Sequence, residues 1–124
     1  MNYSSLTLHY FETAECVGVL TGPGTHRGAA GSRAQGTWVQ FDMQISSGFI
    51  RAVRFLVFGC PHTIAVAAWL AETTLEQQVR AALPATVQEL SDRFEVPVEK
   101  RGRLLIIEDA WVAAAAGAAL ISHP

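Results

Sequence analysis

The side chains of this chain best suited to nucleophilic or metal chemistry are Cys16, Cys60, His9, His26, His62 and His123. The histidines are scattered, but His62 falls two residues after Cys60, in the stretch FGCPHTIA (Phe58–Ala65). There an apolar run, VRFLVFG, gives way to the alanine-rich pattern IAVAAWLAE. Proline is tolerated at a first helical position, where its missing N–H would lack a partner anyway, so Cys60 falls at a helix N-cap. A thiol at that place feels the positive end of the helix dipole, which favours the thiolate. The thiolate is both the nucleophile and the metal-binding form, and His62 is close enough in sequence to assist it. The competing reading makes Cys60 a small, buried and inert packing residue, the common state of a free cysteine. Cys16 has no comparable setting and reads as packing. No CxxC, HExxH, P-loop, GxSxG or dinucleotide-binding glycine motif is present, and two cysteines alone cannot build a four-cysteine metal site.

The elements that must position Cys60 follow from periodicity. Tyr3–Tyr10 (YSSLTLHY) is amphipathic and fits either a short helix or a strand. Thr21–Gly36 (TGPGTHRGAAGSRAQG) reads as a mobile loop with at most a poor edge strand, because glycine and small residues dominate it. A phosphate cradle there lacks the Gly-Lys-Ser/Thr ending. Thr37–Ile45 (TWVQFDMQI) alternates: Val39, Phe41, Met43 and Ile45 face one way, and Trp38, Gln40, Asp42 and Gln44 the other. That is a half-buried strand. Ser46-Ser47-Gly48 turns the chain, and Phe49–Phe58 returns as the second strand of an antiparallel hairpin. A helix is expected from Pro61 to about Glu72. The pattern Thr74-x-x-Gln77 predicts a second helix that stops before Pro84, and Thr86-x-x-Glu89 a third that ends near Phe94. Val96-Pro97-Val98 should be extended. Arg103–Ile121 completes the set as a helix, with Leu104, Ile107, Trp111 and Val112 on its apolar face.

Composition narrows the class. A chain of 124 residues, half of them apolar, suits one domain (residues 1–124) with a hydrophobic core and argues against disorder. A net charge of −2 gives no electrostatic reason for nucleic acid or an anionic membrane as partner. The longest apolar run, AWVAAAAGAALI, is too short to span a bilayer. No secretory signal pattern opens the chain, so a cytoplasmic location with reduced, unpaired thiols is the expectation. Strands followed by helices predict an α+β fold: a small antiparallel sheet of about three strands packed against several helices.

Three words, in order, carry a resemblance. His9-Tyr10 is followed by Val17-Gly18 and Leu20; Ile50–Glu72 reads IRAVRFLVFGCPHTIAVAAWLAE; Val96–Ala110 reads VPVEKRGRLLIIEDA. Together they resemble the U-type iron–sulfur cluster scaffold family, the domain shared by IscU and the N-terminal part of NifU, over nearly the whole chain. The resemblance implies an IscU/NifU-like α+β fold and a non-enzymatic role in iron–sulfur cluster assembly. It implies iron or an iron–sulfur cluster as cargo, and a cysteine desulfurase or other assembly proteins as partners. In that family three cysteines, with a nearby aspartate and histidine, converge at one end of the sheet, because soft thiolates bind iron and bridge to sulfide.

Only one of the three cysteines is kept. The family's Cys-Gly-Asp word corresponds to Gln35-Gly36-Thr37, and its His-Cys word to Gly102-Arg103. Cys60 holds the middle position and is the single residue to which the resemblance assigns cofactor or metal binding. The Leu-Pro-Pro-Val-Lys word read by the family's chaperone is here Val96-Pro97-Val98-Glu99-Lys100, and the early Asn-Pro is lost within Glu12–Cys16. Gln35 offers a weak oxygen, Thr37 a poorer one, and Arg103 is a fixed cation that repels Fe²⁺ and favours a neighbouring thiolate. The expected function is a scaffold-like role with an incomplete cluster site. The alternative is an adaptor or regulator of the desulfurase, or of another assembly partner, that binds no cluster. A third reading makes Cys60 a redox-sensing thiol supported by Arg103 and His62.

Overall fold

The computed structural model describes residues 3–122, with side chains through residue 118. His123 lies outside them. The element order is α1 (Ser5–Glu12), β1 (Thr25–Ser32), β2 (Thr37–Ser46), β3 (Phe49–Phe58), α2 (Pro61–Thr74), α3 (Val87–Arg93), a 3₁₀ turn (Val98–Lys100) and α4 (Arg101–Ser122). The three strands form one antiparallel sheet in the order β1-β2-β3. This is the α+β architecture that the periodicity predicts.

The β2–β3 hairpin closes through Ser47 and Gly48, both at positive φ (55° and 81°). Two such residues match the right-handed twist of the flanking strands. Val39, Phe41 and Met43 on β2 are buried, as their alternation requires, and Val53 and Phe55 on β3 join them. Helix α4 covers this face with Leu104, Ile107 and Trp111, and α2 adds Val66, Trp69 and Leu70. Trp111 meets Phe41 edge-on, with ring centroids 5.1 Å apart.

The structure decides the segments that periodicity left open and departs from expectation at others. Tyr3–Tyr10 resolves to helix: Ser4 is the N-cap of α1 and accepts from the Thr7 N–H. Within the glycine-rich stretch the edge strand that its pattern barely allowed is formed in full: β1 runs eight residues, paired with β2. Its small residues are there for a steric reason. A Cβ on Gly28 would collide with the backbone of Ala110 and Ala114, so α4 lies directly on the strand.

The helix expected after Thr74 does not form. Glu76 sits in the left-handed region (φ 64°), and Gln78 makes an isolated antiparallel bridge with Phe49. Glu76 N–H donates to Ile50 O (2.7 Å), Ile50 N–H to Gln77 O (2.9 Å) and Val79 N–H to Gly48 O (2.9 Å). The segment is a strap along the start of β3. Bonding to a sheet edge outweighs a local capping pattern here, because an unpaired edge leaves backbone groups without partners. Thr86 and Glu89, by contrast, do form a reciprocal capping box at α3. Val98 belongs to the 3₁₀ turn rather than to an extended segment, and α4 starts two residues earlier than expected.

Candidate functional site around Cys60

Cys60 is the N-cap of α2, with extended backbone (φ −88°, ψ 169°) and Pro61 at the first helical position. It leaves β3 at the end of the sheet where Trp38 pairs with Phe58. Thr37, which opens β2, therefore lies at the same end and is 2% exposed. Gln35 sits in the β1–β2 turn with an exposed side chain, and its backbone N–H donates to Ser32 Oγ (3.1 Å). Gly102 is exposed in the first turn of α4.

The beginning of α4 is held against α3 by Arg101, whose Nε donates to Ser91 Oγ at 2.8 Å. This anchor sets the first turn of α4, which carries Arg103. The Arg103 guanidinium is near enough to the Cys60 sulfur to favour its thiolate. Thr63 Oγ1 lies 3.5 Å from that sulfur and His62 Nδ1 4.0 Å from it. The half-buried thiol thus has a hydroxyl, an imidazole and a guanidinium around it.

The electrostatic balance favours the thiolate. Partial burial pushes the Cys60 thiol up, but the Thr63 hydroxyl, the nearby Thr63 N–H and the Arg103 guanidinium together bring it below the ordinary thiol value. The Thr63 N–H bonds the Cys60 carbonyl (3.0 Å) and acts on the sulfur only as a close dipole. His62 is 2% exposed, its ring edge-on to Tyr3 at 4.8 Å. Its burial, with Lys100 and Arg103 nearby, pushes its pKa down, so it is neutral at pH 7 and can accept a hydrogen bond.

The site therefore gathers Cys60, His62 and Arg103, which the sequence singles out, and adds Thr63, which it does not. Thr63 belongs to the first turn of a helix capped by cysteine, and that spacing is the signal that could have marked it. Thr37 is at the same end of the sheet, and Gln35 turns to solvent. Among the described residues, no group of three or more His, Cys, Asp or Glu is placed to hold a metal ion. Cys16 is a second free thiol, half-buried, and its segment is bonded to β3 through Phe55 N–H to Cys16 O (2.9 Å) and Gly18 N–H to Phe55 O (2.9 Å). Among the described residues, no helix is long and apolar enough to cross a membrane.

Comparison with known proteins agrees with this architecture. A structure from Fervidobacterium islandicum AW-1, described as a candidate iron–sulfur cluster assembly scaffold protein for the SUF system, superimposes with a TM-score of 0.73 at 13% identity. The match covers 91% of this chain and 96% of that one. The N-terminal part of a nitrogen-fixing NifU-like protein from Brucella abortus gives 0.71 at 18% identity, over 97% of this chain and 95% of the other. At such identities the likeness is one of fold. No curated protein matches the chain. The family model described as the NifU-like N terminal domain matches residues 2–118, and the chain belongs to that family.

Proposed function

We propose that this protein works in iron–sulfur cluster assembly as a scaffold-like component that holds no cluster within a single chain. The observation that carries this reading is the Arg103 guanidinium beside the Cys60 sulfur, where a second thiolate would be needed. An iron–sulfur cluster takes several thiolate ligands, and a fixed cation at the one thiol opposes Fe²⁺. The residues around Cys60 do not fit a cluster.

They fit an anionic sulfur species better. The Cys60 thiolate attacks the terminal sulfur of a persulfide on a cysteine desulfurase. A new S–S bond forms on Cys60, the donor's S–S bond breaks, and the donor cysteine leaves as its thiolate. No external oxidant or reductant is consumed. Arg103 and the Thr63 hydroxyl then stabilise the perthiolate as they do the thiolate. The chain acts as an acceptor, with no turnover of its own.

The test is intact-mass analysis after incubation with a cysteine desulfurase and L-cysteine under anaerobic conditions. One added sulfur on the wild type, absent from Cys60→Ala, is the expected result. Desulfurase retained on both proteins, with no sulfur on either, would replace this reading with the second one. That second reading is an adaptor or regulator of assembly partners, and an intact core beside an incomplete ligand set favours it. Absence of both sulfur transfer and retention of an assembly protein would contradict both readings.

A further inference from the structure

At the far end of the molecule from Cys60, a cleft of about 820 Å³ opens between the strap after α2, the start of β3, the end of α2 and the middle of α4. We propose that this cleft binds a small monocarboxylate with an apolar body, held by Arg80 and Trp111. The proposal is independent of the role of Cys60.

Trp111 forms part of the cleft wall and is 1% exposed, yet its indole N–H has no acceptor among the described residues. An indole nitrogen only donates, and an orphaned buried donor is costly, so this group calls for an acceptor that the described residues do not provide. The edge-on packing against Phe41 holds the ring in place.

The second observation is charge. Arg80 lines the cleft from the strap, is exposed, and forms no ion pair among the described residues. Among the described residues, no carboxylate lines the cleft with it. The nearby carboxylate of Glu76 is engaged with Arg51 at 2.6 Å. Ile50 and Leu83 supply apolar wall, and the cleft volume lies within the range of small-molecule sites. One guanidinium balances one negative charge, and a carboxylate offers both the anion for Arg80 and the acceptor for an N–H donor. A cation would meet Arg80 with repulsion, and a neutral apolar molecule would leave the indole N–H without a partner.

The test uses the full chain labelled with ¹⁵N, and phenylacetate as probe. The Trp111 side-chain N–H resonance, assigned by its loss in Trp111→Phe, should shift saturably, with affinity on the order of millimolar or tighter. Phenethylamine, of similar size but cationic, should not shift it. Arg80→Ala alters an exposed residue and leaves the core intact; it should weaken phenylacetate about tenfold or more, the scale of one lost charge-assisted hydrogen bond. No saturable shift of the indole N–H, equal binding of the amine, or unchanged affinity in Arg80→Ala would each overturn the proposal.

Discussion

At the residue scale, the behaviour of Cys60 depends on which influence on its thiol is stronger. Burial opposes charge, while Thr63 and Arg103 favour it, and the second group wins. The folded-state pKa is below the ordinary value, so the thiolate persists to lower pH than in a free cysteine. The rate of iodoacetamide alkylation at Cys60 should therefore rise with a midpoint below the usual ~8.5. Removing the cation with Arg103→Ala should move that midpoint up, and Thr63→Val should do the same. A midpoint that ignores both substitutions would separate the thiol from these neighbours. The placement of Arg103 beside Cys60 could not be read from spacing along the chain. Only the family resemblance implies it, because the contact depends on how α4 docks on α3 through Arg101 and Ser91. The orphaned indole of Trp111 was equally hidden: its periodicity marks it as core, and nothing in the chain says which way its N–H is served.

At the scale of elements, the strands with clear alternation were legible and those built by packing were not. Thr37–Ile45 and Phe49–Phe58 carry side chains that separate two faces, so pattern alone identifies them. Thr25–Ser32 (THRGAAGS) has almost no side chains with which to show a face. It becomes a strand because β2 pairs with it and α4 lies against Gly28. Gly28→Val should destabilise the protein by roughly 3 kcal/mol, the upper range for overpacking, as measured by urea denaturation. A loss under about 0.5 kcal/mol, the range of a neutral surface change, would mean that α4 does not rest there. The two capping patterns make the opposite lesson. Thr86 and Glu89 cap α3, and Thr86→Ala should cost about 1 kcal/mol. Thr74 caps nothing: its hydroxyl donates back to Leu70 O at 2.6 Å, inside α2. A four-residue pattern cannot report a sheet edge distant in sequence, and it was that edge which drew the strap out of a helix.

At the scale of the whole molecule, a buried carboxylate ties the N-terminal segment to the sheet. Asp42 is 0% exposed, accepts from Arg27 Nε (2.7 Å) and Nη2 (2.9 Å), and accepts from the Leu20 N–H (2.8 Å). Burial pushes its carboxyl up, but these donors bring it below the ordinary carboxylate value. A folded-state pKa below the unfolded one gives stability that is fully present above the unfolded value of ~3.9. It is lost as pH falls through the lower, folded value. Thermal denaturation from pH 7 downward should show the wild-type melting temperature dropping across that acid window. Asp42→Asn should melt lower at pH 7 and lose less on acidification. Parallel curves would show that another carboxylate governs acid unfolding. The alternation places Asp42 on the outer face of its strand, where a solvated charge is the ordinary expectation; its burial comes from Arg27 and the crossing segment around Leu20.

The whole molecule keeps a scaffold-family fold around a site with one thiol, and the central claim is that this single chain does not hold an iron–sulfur cluster at Cys60. The most direct measurement is anaerobic reconstitution of the pure protein with ferrous iron and sulfide, followed by desalting, visible absorption and iron analysis. No visible chromophore and no retained iron should distinguish wild type from Cys60→Ala. A stable chromophore with stoichiometric iron in the wild type, lost in Cys60→Ala, would contradict the claim.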